Sequence, residues 1–142
     1  MHKTSITAGI ISPMLSRGVG FDIGLRSPLW QQNNFGIIAQ TSFTQYKITG
    51  AFLSGKQSTG NTSALLAGPA FVFLKKSRLQ PSFLILYGIQ SHLVRSDELS
   101  SKLELKQGLL TEINFQLFRS TQFGFYLQSP GFTGIKFLLN IN

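Results

Sequence analysis

The sequence contains no cysteine, few charged residues and no long apolar run. Without cysteine, a disulfide framework, a thiol nucleophile and a cysteine-based zinc site are excluded. Charged residues make up 13% of the 142 residues, which is about half of the share usual in a soluble domain. No stretch approaches the roughly 18 consecutive apolar residues that a membrane-spanning helix needs. Frequent glycine and proline also interrupt any helical stripe, so the composition favours a protein built from strands.

What the sequence does contain is strict alternation, most clearly between Gly18 and Arg26. One face of this segment is large and apolar: Val19, Phe21, Ile23 and Leu25. The other face is small or charged: Gly18, Gly20, Asp22, Gly24 and Arg26. A period of two residues predicts a β-strand whose two faces meet different environments.

The same division recurs in eight segments, which predicts eight strands. Their predicted bounds are 4–12, 18–28, 35–48, 63–74, 80–94, 107–118, 122–129 and 133–142. Short turns alternate with other connections, among them two longer polar loops at 50–62 and 95–106. Sequential hairpins of this kind predict an all-β, eight-stranded antiparallel up-and-down barrel that forms a single domain over residues 1–142.

Two kinds of barrel share this pattern. In a soluble, lipocalin-like barrel the apolar face would line a dry cavity for an apolar ligand, with Phe21, Phe71, Phe83 and Phe115 around it. In a membrane barrel the apolar face meets lipid. The low charge and the glycines on the opposite face favour the membrane barrel. So do aromatic residues beside the short turns, where an interfacial girdle would face lipid: Trp30, Phe35, Phe73, Phe83, Phe118 and Phe123.

Two stretches carry a resemblance at the family level. They are Gly-Leu-Leu-Thr-Glu-Ile-Asn-Phe-Gln-Leu-Phe at 108–118 and Gly-Ile-Lys-Phe-Leu-Leu-Asn-Ile-Asn at 134–142. With the rest of the pattern, they make the chain resemble the small eight-stranded outer-membrane β-barrels of Gram-negative bacteria, the OmpA/OmpX-like and PorT-like group. The resemblance implies a location in the bacterial outer membrane. The ending Ile141-Asn142 departs from the terminal aromatic residue that is usual in that group.

Four charged residues fall on the small or polar face, which would line the lumen. The interior of an eight-stranded barrel is just wide enough for side chains, and an isolated buried ion is costly. We therefore expect Asp22 and Glu112 to pair with Arg26 or Lys136, with Glu112 reaching across the lumen. The predicted lumen network comprises Asp22, Arg26, Glu112, Lys136, Gln90 and His92. A lumen this full predicts that the protein is not a general porin.

The net charge of +8 limits the possible partners. The basic residues are scattered and form no basic helix, so nucleic acid is not predicted as a partner. In the longer loops, Lys56, Arg95 and Lys102 are candidates for contact with the phosphates of lipopolysaccharide. A protein partner within the membrane is the other expected contact. No cofactor motif and no metal-ligand cluster is present in the sequence.

One catalytic alternative centres on His92, because some outer-membrane barrels modify lipid A with a histidine, a serine and a carboxylate. Such chemistry needs a base within hydrogen-bond reach of a hydroxyl group. The adjacent Ser91 would point to the opposite face of the strand. We therefore predict a structural or interaction role without catalytic residues.

Overall fold

The computed structural model describes residues 3–13, 18–49, 57–96, 99–129 and 131–141. These residues form eight strands: β1 (Ser5–Pro13), β2 (Gly18–Gln32), β3 (Phe35–Thr49), β4 (Gln57–Val72), β5 (Ser82–Ser96), β6 (Leu99–Phe118), β7 (Thr121–Ser129) and β8 (Phe132–Asn140). Each strand pairs antiparallel with the next, and β1 pairs with β8, so the sheet closes into a barrel. The predicted fold class is confirmed. Within the described residues, no helix is long and apolar enough to cross a membrane.

Strands β4 and β6 start earlier in the chain than the sequence predicted. β4 begins at Gln57 and β6 at Leu99, so much of the predicted loops 50–62 and 95–106 is strand. Both hairpins remain paired up to these ends, with Thr49 opposite Gln57 and, after a register shift between Val94 and Ser96, Ser96 opposite Leu99. Polar residues fall on both faces of these segments, which hides the period of two, whereas backbone hydrogen bonding continues regardless of side chain.

Strand β2 also runs further than predicted, because it passes through Pro28 and ends at Gln32. Proline has no backbone N–H to donate to a neighbouring strand. The register with β3 shifts between Pro28 and Trp30, and a bulge of this kind lets a strand continue past an unpaired residue. Proline therefore bends the strand here without ending it.

The wall of the barrel has two heights. Strands β1, β7 and β8 have 9 residues each, about the 9–11 that a tilted transmembrane strand needs. Strands β3 to β5 have 15 or 16 residues and β6 has 20. We call the end of the barrel with the turns after β2, β4 and β6 the turn side, and the opposite end the loop side. The paired loop-side ends of β3 to β6 therefore stand beyond the membrane-spanning part of the barrel.

The apolar face points outward. Phe21 is 45% exposed and Phe71 is 40% exposed, whereas Asp22 is 1% exposed. The alternative of a soluble barrel with Phe21 and Phe71 around an inner cavity is therefore wrong. A continuous apolar exterior on a closed antiparallel barrel fits lipid rather than water.

The lumen is not lined by small and polar residues alone, which corrects the sequence-based expectation. Six large aliphatic side chains point into it, and none is more than 1% exposed: Ile11, Ile38, Leu66, Leu84, Leu86 and Leu110. The segment 83–87 is apolar at every position, so its alternation in space leaves no alternation in the sequence. Its inward leucines were for this reason indistinguishable from its outward residues.

Candidate functional site

Arg26 on β2 and Glu112 on β6 meet across the lumen. Arg26 Nη1 donates to Glu112 Oε1 at 2.9 Å, and Nη2 donates to Oε2 at 2.8 Å. Arg26 Nε also donates to Gln40 Oε1 at 2.9 Å. Strands β2 and β6 lie on opposite sides of the closed ring. This two-pronged ion pair therefore ties opposite walls together with a defined geometry.

Lys136 on β8 joins the same cluster. Its Nζ lies 3.0 Å from Glu112 Oε2 and 3.7 Å from Asp22 Oδ2, and Thr44 Oγ1 donates to Asp22 Oδ1 at 3.0 Å. The same Nζ sits 4.0 Å from the centre of the Tyr126 ring, a cation–π contact. Two cations and two carboxylates thus come together, which leaves the cluster with no net charge.

A glycine makes room for this arrangement. A Cβ atom at Gly134 would lie 2.7 Å from the ring of Tyr126, closer than ordinary van der Waals contact. The ring can therefore rest against the backbone of β8 and leave its face to Lys136. The small face predicted from the sequence has a definite use at this position.

Two further contacts join inward side chains of non-adjacent strands nearer the loop side. Gln128 Nε2 donates to Gln90 Oε1 at 3.0 Å. The rings of Tyr46 on β3 and Phe132 on β8 pack with their centres 4.8 Å apart. With the charged cluster, side chains span the lumen at several levels and fill it.

His92 lies in the loop-side part of the lumen and is 6% exposed. Its Nδ1 is 3.1 Å from Thr62 Oγ1 on β4. The adjacent Ser91 belongs to the opposite face, where it pairs with Ser63 and Leu105. The hydroxyl group that is hydrogen-bonded to His92 therefore belongs to Thr62, and Ser91 is not placed to act with the imidazole.

The six predicted lipid-facing aromatics all lie on the outward face at the turn side. Trp30, Phe73 and Phe118 are exposed, and Phe35, Phe83 and Phe123 are half-buried. Phe35 packs between Trp30 and Phe71, with ring centres 5.8 and 4.9 Å away. The aromatics thus shield one another as well as facing outward.

The predicted loop cations are only partly placed. Lys56 lies outside the described residues. The backbones of Arg95 and Lys102 lie in β5 and β6, opposite Thr59 and Val94 respectively, and their side chains are not described.

A ring of small or polar residues marks the loop-side edge of the apolar exterior. This polar ring comprises Ser12, Gln45, Ser63, Ser91, Gln107 and Ser129. Beyond it, β5 and β6 continue as a paired segment, residues 92–96 and 99–106, that we call the β5–β6 extension. Leu103 and Leu105 lie on its outer face and are 67% and 73% exposed.

Sequence reasoning missed these two leucines. Their signal was present, since residues 103, 105 and 109 are apolar at a spacing of two, interrupted only by Gln107. The extension also carries an exposed ion pair, with Lys106 Nζ 2.9 Å from Glu104 Oε2. The extension therefore combines apolar and charged surface beyond the polar ring.

Comparison with known proteins finds solved structures of similar fold. No protein-family model matches the sequence, and no curated protein matches it. Among solved structures, Neisserial surface protein A (NspA) is similar with a TM-score of 0.59 and 14% identity, covering 97% of this chain and 95% of that one.

Ail, the attachment invasion locus protein of Yersinia pestis, is similar with a TM-score of 0.56 and 16% identity, covering 98% of this chain and 96% of that one. The structure of Ail in complex with the heparin analogue sucrose octasulfate is similar with a TM-score of 0.57 and 14% identity, covering 96% of this chain and 94% of that one. At these identities the likeness establishes the fold. The closed strand order and the apolar exterior agree with it, and the chain has the fold of the small eight-stranded outer-membrane β-barrels.

Proposed function

We propose that this protein is a non-enzymatic interaction protein of the outer membrane, and that its β5–β6 extension is the contact surface for a protein partner. The observation that carries the proposal is the exposure of Leu103 and Leu105 beyond the polar ring. Each leucine left in water forgoes about 1.5–3 kcal/mol of burial. A partner that covers both leucines would recover that free energy.

The surroundings of the two leucines suit a protein contact. Gln107 lies next to Leu105 on the outward side of the same strand, and Ser91 lies opposite Leu105. The Lys106–Glu104 pair lies on the other face of that strand. An apolar centre with a polar rim is the usual composition of a protein–protein interface. Strands β5 and β6 are paired over the extension, so the surface is held in shape before a partner arrives.

A pore function fits the lumen less well. The Arg26–Glu112 pair crosses the interior. The Gln90–Gln128 hydrogen bond and the Tyr46–Phe132 packing join inward side chains of strands that are not adjacent. A solute would have to break several of these contacts to pass. We therefore propose that the barrel supports its loop-side surface and does not serve as a general porin.

Lipopolysaccharide is the second candidate partner, and a different observation favours it. Lys47 is exposed on the outward face of β3, and Lys106 is half exposed on β6. Lysine can bind sugar phosphates through charge-assisted hydrogen bonds. The similar structure of Ail was solved with sucrose octasulfate, a sugar that carries many negative charges.

Site-specific photo-crosslinking in cells tests the proposal. A photo-reactive residue in place of Gln107 should give a defined protein adduct, because it borders the leucine pair. The adduct should be lost in Leu103→Ser/Leu105→Ser and kept in Gln45→Ser, a matched change on the outward face of β3. An unboiled sample on a denaturing gel verifies that each variant has folded.

The adduct distinguishes the candidates. A product that contains lipid A would replace the protein partner with lipopolysaccharide. A product that persists in the leucine variant, or no product at all, would contradict the proposed contact surface.

A further inference from the structure

The turn-side end of the barrel differs from the loop-side end in charge. Its connecting turns carry four basic residues, Lys75, Lys76, Arg78 and Arg119, and no acidic residue. All five acidic residues of the chain lie elsewhere. Asp22 and Glu112 are in the lumen, and Glu104 is on the β5–β6 extension. Asp97 and Glu98 stand between β5 and β6 in the sequence. The turn-side cations therefore have no acidic side chain in the connecting turns at their own end.

Three of the four cations are in the segment that joins β4 to β5, and its backbone is well anchored. Phe73 N donates to Pro81 O at 2.7 Å, and Ser77 N donates to Leu74 O at 2.7 Å. Leu79 O accepts from Gln116 N at 2.6 Å, which fixes the segment to β6. The backbone of this turn, which we call the β4–β5 platform, is therefore fixed by hydrogen bonds, and it carries Lys75, Lys76 and Arg78.

Apolar side chains are exposed on the same platform. Leu74 is 72% exposed and has a φ of 48°, a left-handed conformation that is rare for a bulky residue. Leu79 is 51% exposed. Leucines at both ends of a turn that carries two lysines and an arginine suit the boundary between hydrocarbon and headgroups, where the apolar part is buried and the charge is hydrated.

A groove of about 620 Å³ opens beside this platform. Its apolar floor is formed by Trp30, Phe35, Phe71 and Phe73, and Asn33 is among the residues at its polar rim. Lys75 Nζ donates to the Asn33 carbonyl oxygen at 2.8 Å, so an ammonium group sits at that rim. Two of its three N–H groups remain available for a ligand.

We infer that this groove and the adjoining turn form a binding site for an anionic phospholipid. An acyl chain would lie against the aromatic floor, and the phosphate would meet Lys75, with Lys76 and Arg78 nearby. Short turns of outer-membrane barrels face the periplasm, so the lipid would belong to the inner, phospholipid leaflet. A lipid is favoured over an acidic protein because the aromatic floor is continuous with the lipid-facing exterior.

The fluorescence of Trp30 can report binding at this site, because Trp30 is the single tryptophan of the chain and lines the groove. The barrel is reconstituted in phosphatidylcholine vesicles that contain phosphatidylglycerol, with bromine placed near the headgroup end of the acyl chains of one lipid or the other. Bromine quenches tryptophan fluorescence at short range. Brominated phosphatidylglycerol should quench Trp30 with an apparent preference of at least about fivefold over brominated phosphatidylcholine, the effect of about one effective cation.

The triple variant Lys75→Gln/Lys76→Gln/Arg78→Gln should lower this preference to about one. The matched control Lys47→Gln/Lys102→Gln/Lys106→Gln removes the same charge from the loop-side end and should keep the preference. High salt should also reduce the preference in the unaltered protein. This test does not depend on whether a variant folds.

Equal quenching by the two lipids in the unaltered protein would overturn the inference and favour an acidic protein at this end. A preference that survives in the turn variant would also overturn it. The site lies at the opposite end from the β5–β6 extension, so either result leaves the proposed partner contact unaffected.

Discussion

Two walls of one lumen are equally buried but are filled in different ways. On one side Arg26 and Lys136 contact Glu112, Asp22 lies beside Lys136, and each of the four is 3% exposed or less. On the other side lie leucines such as Leu84 and Leu86, which are 0% exposed. The charged wall is held by bonds with direction, which specify the strands that face each other. The leucine wall is held by packing, which specifies volume but not partner.

Strand β6 belongs to both walls, since Leu110 and Glu112 are successive inward positions. Glu112 contacts Arg26 on β2 and Lys136 on β8. Leu110 lies in the hydrophobic cluster with Leu66 of β4. The difference teaches that a narrow barrel can be filled by either chemistry, provided that every buried charge has a partner.

Breaking the charged wall should have the largest effect. Glu112→Gln would leave Arg26 and Lys136 buried without their shared carboxylate, and we expect a loss of about 3–5 kcal/mol of unfolding free energy. Urea titration of the barrel in detergent, followed by the fluorescence of Trp30, would measure it. Adding Lys136→Met should recover part of the loss, because one stranded cation is then gone. A loss in Glu112→Gln below that of a leucine truncation would contradict the importance of the cluster.

Breaking the leucine wall should have a smaller effect. Leu86→Ala removes three buried carbons, and the neighbouring leucines can relax into the space, so we expect a loss of about 2–3 kcal/mol. The adjacent Ile85 faces outward, and lipid or detergent can fill the space left by Ile85→Ala, so this change lacks the cavity contribution and should cost less than Leu86→Ala. The same titration compares the two. Equal losses would mean that residue 86 does not lie in a packed interior.

The smallest effect is expected from an ion pair outside both walls. Lys106 and Glu104 are 50% and 37% exposed at their side chains. Water and salt screen such a pair, so Lys106→Gln should change the unfolding free energy by about 1 kcal/mol at most. Its loss should also vanish at high salt, unlike that of Glu112→Gln. A cost close to that of Glu112→Gln would show that exposure is not what separates the two ion pairs.

The sequence predicted the strands best where their two faces meet different surroundings. Phe21 and Asp22 alternate because one faces outward and the other faces the lumen. The start of β4 was wrong where both faces carry polar residues, and the inward Leu84 and Leu86 were missed where both faces are apolar. The start of β6 was wrong because Gln107 interrupts the outward series that contains Leu103 and Leu105. Apolar and polar residues alternate in the sequence only where the two faces of a strand differ in polarity. Where the faces are alike, alternation cannot predict strand bounds or inward residues.

The site followed a similar rule. The four lumen charges were found from the sequence because a charge on a strand of low polarity is conspicuous. Their pairing required the closed ring, which places β2 opposite β6 and β8 beside β1. The exposed Leu103 and Leu105 were not recognised, because a leucine in a sequence does not report whether anything covers it.

By itself the sequence determined that this chain forms eight antiparallel strands with an apolar face, since local alternation and turn residues fix both. Only the tertiary structure decided the rest. Closure of the ring set the direction in which the apolar face points, the carboxylate that two distant cations share and the height to which β5 and β6 rise. Those properties depend on residues far apart in the chain, and no local pattern encodes the distance between them.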